Sequence, residues 1–231
     1  MYTKPTGLTI DLSPEKIEHE GVDLPKDHFL QTCPFYILLG PPKSGKTTVI
    51  QTLITHEMLY LKKFNHILFI SPSSFGNLEL ELEKNWYPSI NLEWIYKKFA
   101  EISSVGEKKS QVLLIFDDCV SEMRTLEGKP DFTKLFYNRR HITPNVCLSI
   151  FLTSQYWTKI PSAIRAMCSG TFIFSINQSE WTKMVKELPL GENSSTLKTA
   201  IQSLQTKPHS FIHLNFNNNK KYLNFESELI I

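Results

Sequence analysis

The sequence predicts an α/β protein: a mainly parallel central sheet flanked by helices, with a β-hairpin near its C-terminal end. Three observations predict it. Five short apolar runs, starting near residues 35, 66, 112, 148 and 170, alternate with segments of helical period. Alternation of that kind builds parallel sheets through right-handed crossovers. The first run leads into Gly40-Pro41-Pro42-Lys43-Ser44-Gly45-Lys46-Thr47-Thr48, a glycine-bounded turn between a strand and a helix. The third run ends in Asp117-Asp118, which places carboxylates at the C-terminal end of a buried strand, where parallel sheets bind ligands.

The elements follow in chain order. Residues 1–30 are polar, carry Pro5, Pro14 and Pro25, and show no clear period. They read as an arm or surface wrap, or as a frayed terminus, and residues 31–231 as one domain. Phe35 to Leu39 is the first strand. Thr48 to Leu61 is predicted helical, because Val49, Ile50, Leu53, Ile54, Met58 and Leu61 recur at spacings of three and four. His66 to Ser71 is a continuous apolar run, suited to a strand buried on both faces. Residues 77–102 are mixed and mainly helical, and Ser121 to Asp131 reads as a loop. A helix over Phe132 to Asn138 precedes the fourth strand, Leu148 to Thr153. Pro161 opens a short helix, as proline does at a first helical position, and Gly170 to Ile176 is the fifth strand. Helices are expected over Glu180 to Leu188 and Ser194 to Gln205. Ser210 to Phe216 and Tyr222 to Phe225 flank Asn217-Asn218-Asn219-Lys220-Lys221, an alternating pattern around an Asn-rich turn that predicts the hairpin.

Composition excludes several classes. The 231 residues are 41% hydrophobic and 12% aromatic, enough for a core. No apolar stretch approaches the roughly 18 residues of a membrane span, and the N-terminus lacks an apolar signal core. Cys33, Cys119, Cys147 and Cys168 form no Cys-x-x-Cys pair. Their wide separation argues against zinc and against a disulfide framework, and fits a reducing compartment. With 25 basic and 23 acidic residues the net charge is +2, so bulk charge does not make this a nucleic-acid coat. Lys62-Lys63, Lys108-Lys109 and Lys220-Lys221 are short basic pairs, each a solvated surface or a local contact.

Chemistry concentrates at four places. Gly40 to Thr47 has the spacing Gly-x-x-x-x-Gly-Lys-Thr of a phosphate-binding loop. Its glycines let the backbone curl around an anion, and the N–H groups point inward at the positive end of a helix. Lys46 is expected on the outer phosphates and the Thr47 hydroxyl on Mg2+, with Pro41, Pro42, Lys43, Ser44 and Thr48 completing the cradle of ATP. An acid after four or more apolar residues is the Walker B arrangement, so Asp117 is expected on Mg2+ and Asp118 beside an attacking water. Thr153-Ser154-Gln155 ends the fourth strand next to the loop. Gln155 either senses the terminal phosphate and holds water or simply opens a loop. Asn138-Arg139-Arg140-His141 and Arg165 supply arginines that either stabilise phosphoryl charge or cover surface.

Taken in order, Gly40–Thr47, Ile115-Phe116-Asp117-Asp118, Arg140-His141-Ile142, Phe151-Leu152-Thr153-Ser154-Gln155 and Ile160-Pro161-Ser162-Ala163-Ile164-Arg165 form a recognisable series. It resembles the genome-packaging ATPases of large double-stranded DNA viruses, the poxvirus, giant-virus and virophage enzymes of the FtsK/HerA superfamily. The resemblance implies a RecA/FtsK-like P-loop NTPase fold and ATP hydrolysis coupled to movement of double-stranded DNA. Lys46 and Thr47 match the phosphate and metal residues, Asp117 the metal acid, Asp118 the catalytic acid and Gln155 the sensor. Asp118 stands where cellular members often have Glu. Arg140 matches a finger acting on a neighbouring subunit, and Arg165 matches an arginine that is either finger or sensor. Arg139 stands where relatives often have Gly, and no role passes to it. The resemblance further implies a homo-oligomeric ring, usually a hexamer, capsid or portal-like vertex proteins as partners, and a place in the host cytoplasm, in the viral factory, or in the virion. Two other readings share the loop: a P-loop kinase acting on a small molecule, and a non-catalytic ATP-binding assembly module.

Overall fold

The computed structural model of the chain describes residues 2–5, 33–57, 59–72, 85–105, 109–188, 194–204 and 208–230. In chain order these form β1 (Tyr2–Pro5), β2 (Phe35–Leu39), α1 (Lys46–Thr55), β3 (His66–Ile70), β4 (Trp86–Tyr87) and α2 (Leu92–Val105). Then come β5 (Ser110–Phe116), α3 (Val120–Thr125), α4 (Pro130–Tyr137), β6 (Val146–Ser154), α5 (Ser162–Arg165) and β7 (Gly170–Ile173). The chain closes with α6 (Gln178–Glu187), α7 (Ser194–Ser203), β8 (Ile212–Asn215), β9 (Lys220–Leu223) and β10 (Ser227–Ile230). Single 3-10 turns lie at Arg139–His141 and Trp157–Lys159.

The strands among the described residues join one ten-stranded sheet in the order β1-β10-β9-β8-β7-β2-β6-β5-β3-β4. The half from β7 to β4 is parallel. The half from β8 to β1 extends it antiparallel. The parallel strands are buried on both faces, which is why they read as unbroken apolar runs. Along β2, Phe35, Ile37 and Leu39 enter one core with α2, α4 and α6, while Tyr36 and Leu38 enter a second core with Val49, Ile50 and Leu53 of α1.

Four expectations change. The predicted helix to Leu61 stops at Thr55, where His56 takes an extended backbone. Leu59 and Tyr60 are buried from a turn that folds back, with the Tyr60 N–H donating to the Leu53 carbonyl at 2.8 Å. Met58 lies outside the described residues. The loop expected over 121–131 contains α3, whose Val120 and Met123 enter the core. The hairpin carries two further strands, because β10 follows β9 and β1 pairs with β10 from Tyr2↔Ile230 to Pro5↔Ser227. The rest of the expected N-terminal arm and residues 77–84 lie outside the described residues. Finally, one disulfide is present where the cysteine spacing argued against a disulfide framework. Cys33 and Cys147 meet at the N-terminal ends of β2 and β6, 6.0 Å apart between Cα atoms, and are bonded. A separation of 114 residues hides that pairing in the sequence. Among the described residues no helix is long and apolar enough to cross a membrane.

Candidate functional site

The strand register brings three loops to one end of the sheet. Leu39 of β2 lies beside Ser154 of β6, and Phe116 of β5 beside Leu152. The residues that follow each strand therefore share one rim. The Gly40 N–H donates to the Ser154 carbonyl at 3.1 Å, which fixes where the glycine-bounded loop leaves the sheet. No side chain fits at Gly40: an added Cβ would lie 2.8 Å from Phe174 Cβ and 2.8 Å from Ser44 Oγ. Gly45 has φ 101°, a left-handed backbone that favours glycine, and its carbonyl accepts the Val49 N–H as α1 begins. No acidic residue occupies the first turn of α1, so its positive end is open to an anion.

The loop closes on its own lysine. Lys46 Nζ donates to the Gly40 carbonyl at 2.9 Å and to the Pro41 carbonyl at 2.8 Å. Burial lowers the Lys46 pKa, while the neighbouring Asp117 and Asp118 carboxylates work to raise it. Ser44 Oγ is buried inside the loop and has no hydrogen-bond partner among the described residues. Pro41, Pro42, Lys43, Thr47 and Thr48 are exposed.

The acids face this lysine from β5. Burial raises the Asp117 pKa; a hydrogen bond from Thr153 opposes the rise, Asp118 adds to it, and Lys46 counters it. Thr153 Oγ1 donates to Asp117 Oδ1 at 2.6 Å and accepts the Asp118 N–H at 3.0 Å. Asp118 is exposed, with φ 56°. Gln155 is half-buried on the β6 tip, between loop and acids, and the Ser154 hydroxyl caps the turn after it by accepting the Tyr156 N–H at 3.1 Å. Lys46, Asp117, Asp118 and Gln155 thus share one rim, with Thr47 exposed next to Lys46.

The arginines do not join them within one chain. Arg140 is exposed in the 3-10 turn before β6, at the opposite end of that nine-residue strand. At the usual rise this is about 25 Å from the loop. Its carbonyl accepts Lys109 Nζ at 2.5 Å. Arg139 ties the base of the sheet together: it donates to the Cys33 carbonyl at 2.9 Å, the Phe136 carbonyl at 3.1 Å and Ser169 Oγ at 3.4 Å. Arg165 is 9% exposed and committed to its own chain. It pairs with both Glu187 oxygens at 2.7 and 2.5 Å and donates to the Trp157 and Ile160 carbonyls. Two residues near the loop had no signal in the sequence, Phe174 and His209, because only folding brings them to Gly45.

No protein-family model matches the chain. It is 26% identical over 153 residues to an uncharacterized protein, 015R, of Frog virus 3 (isolate Goorha). That match covers 61% of this chain and 44% of the relative, so the chain spans less than half of that protein. Among solved structures it resembles the genome packaging NTPase B204 of Sulfolobus turreted icosahedral virus 2, solved with ATP-γS. The TM-score is 0.58 at 16% identity, over 84% of this chain and 97% of that one. The chain has the fold of a viral genome-packaging NTPase. B204 of Sulfolobus turreted icosahedral virus, a DNA-packaging ATPase, aligns with TM-score 0.57 at 14% identity, over 84% and 98% of the two chains. The Type VII secretion ATPase EccC of Thermomonospora curvata aligns with TM-score 0.51 at 13% identity, over 82% of this chain and 23% of that one. These likenesses concern the fold, a sheet whose parallel strands end in the rim that carries the loop and the acids.

Proposed function

We propose that this chain is an ATPase that drives double-stranded DNA through a homo-oligomeric ring, and that its task is packaging a viral genome. The observation that carries the reading is the convergence of Lys46, Asp117, Asp118 and Gln155 on the rim of three adjacent strands. The buried, unpartnered Ser44 hydroxyl and the open α1 terminus suit a phosphate chain. The Thr47 hydroxyl and the second Asp117 oxygen suit Mg2+, which takes few protein ligands and keeps waters and phosphates. When bound, that ion neutralises charge on the phosphate oxygens.

The protein's own groups carry the rest. Lys46 exchanges its loop carbonyls for the outer phosphates. Gln155 holds the attacking water in line, and Asp118 orients it and takes its proton as the bond to the leaving ADP breaks. Arg140, about 25 Å from the loop of its own chain, serves the site of the next subunit in the ring. Arg165 acts indirectly, by bracing the segment below Gln155. Residues 31–231 form the ATPase domain and residues 1–30 an arm. Exposed lysines such as Lys62 and Lys63, repeated around a ring, supply the positive pore that a +2 chain lacks; Lys220, paired with Glu228, and the buried Lys221 do not join them. The B204 proteins that share the fold are named for packaging, and that supports the choice of task, with capsid or vertex proteins as partners.

Hydrolysis per subunit should rise with protein concentration and with added duplex. Arg140→Ala should lose turnover by on the order of a thousandfold while it still binds ATP. Lys46→Ala should lose both. A fully active monomer, indifferent to DNA, would refute the proposal.

A further inference from the structure

The site described above uses only one flank of the phosphate loop. Sheet order places β6 and β5 on one side of β2, and β7 and β8 on the other. Asp117, Asp118 and Gln155 all occupy the first side. A nucleoside triphosphate with its terminal phosphate toward those acids must carry its sugar and base out over the second.

Two rings stand there. Phe174 follows β7, and its N–H donates to the Leu39 carbonyl at 2.9 Å. Its side chain is buried under both loop glycines: a Cβ at Gly40 would meet it at 2.8 Å and one at Gly45 at 3.4 Å. His209 comes from the segment that enters β8, and its Nδ1 lies 3.4 Å from the same Gly45 position. Unlike Phe174 it is exposed. Among the described residues its imidazole has no hydrogen-bond partner. Its backbone is left-handed, with φ 62°, an uncommon conformation held only where the surroundings determine it. Asn224 holds the two residues that follow His209. Asn224 Oδ1 accepts the Phe211 N–H at 2.9 Å, its own N–H donates to the Phe211 carbonyl at 3.1 Å, and its Nδ2 donates to Ser210 Oγ at 3.4 Å. The Phe174 and Phe211 rings, 5.4 Å apart, close the floor beneath. An exposed imidazole, without a hydrogen-bond partner among the described residues, thus stands against the glycine that precedes Lys46.

We infer that His209 is the nucleoside-recognition residue of this site, its imidazole packing on the sugar–base half of a bound nucleoside triphosphate, with Phe174 as the floor that sets its height above the loop. This rests on the nucleotide reading above. Base–aromatic stacking tolerates any base, so the contact selects a nucleotide over a bare polyphosphate. The test compares Mg-ATP with Mg-tripolyphosphate by titration calorimetry on the full chain. His209→Ala should weaken ATP about tenfold, the scale of one stacked base, and leave tripolyphosphate within about twofold. His209→Phe, which keeps a ring face, should retain most of the ATP affinity and controls for folding. Unchanged ATP affinity in His209→Ala, or an equal loss for both ligands, overturns this inference and leaves the nucleotide reading standing. A parent chain that binds neither ligand overturns both.

Discussion

The Thr153 hydroxyl spans the two acids, donating to Asp117 Oδ1 at 2.6 Å and accepting the Asp118 N–H at 3.0 Å. The first bond stabilises the Asp117 carboxylate against burial. The second fixes Asp118 in a left-handed backbone, which a side chain other than glycine adopts at some cost. Thr153→Val keeps the shape and removes both bonds. Its kcat for ATP hydrolysis should fall about tenfold or more, the scale of a hydrogen bond to a charged group, with KM changed less. Thr153→Ser should restore most of it in the same steady-state assay. The chemical types at this rim were legible in the sequence, because a loop between two glycines and an acid after an apolar run are local patterns. The bridge was not, since Thr153 and Asp117 meet only through the pairing of β5 with β6.

Two glutamates of α6 clamp the segment that descends from Gln155. Glu180 accepts the Thr158 N–H at 3.0 Å and its hydroxyl at 2.7 Å. Glu187 accepts Trp157 Nε1 at 2.8 Å and both ends of Arg165. Removing one partner of a buried ion pair costs about 3–5 kcal/mol. Glu187 is 38% exposed, so water screens part of that interaction. Glu187→Ala should therefore lower unfolding free energy by about 2 kcal/mol, measured in urea. Arg165→Lys should also destabilise, because an ammonium cannot serve a carboxylate and two carbonyls in one plane. A motif match alone suggested a finger or sensor for Arg165. Its committed guanidinium shows why an arginine's spacing does not reveal its partners. Periodicity misjudged α1 for a related reason: Leu59 and Tyr60 are buried, but by a turn.

Across the whole molecule, the antiparallel half of the sheet packs its second core around a histidine. His213 is fully buried, stacked 4.1 Å from Phe172 and edge-on to Tyr36 at 5.5 Å. Burial pushes its pKa down from 6.5 to about 3. The unfolded chain therefore binds a proton that the fold refuses between about pH 6.5 and pH 3. Stability is complete above that window and falls as pH drops through it. At pH 5 the loss relative to pH 7 should be about 2 kcal/mol, seen as a lower urea midpoint. His213→Leu should remove that slope; an undiminished slope in the variant would assign the effect elsewhere. The Cys33–Cys147 bond ties the bases of β2 and β6, the two strands whose tips carry the loop and Gln155.

By itself the sequence determined five of the six parallel strands, missing only β4, together with the glycine-bounded loop and the acid pair. Each is written in contiguous residues, as an apolar run long enough for one strand and a polar tip just past it. Tertiary structure decided what depends on pairing across long separations. It set the Thr153 bridge, the commitment of Arg165, the distance of Arg140 from its own loop, the disulfide, and the seat of His209 beside Gly45. Those follow from strand order and register, and neither has a local signature, because the hydrogen bonds that set them join backbone groups of any residue type.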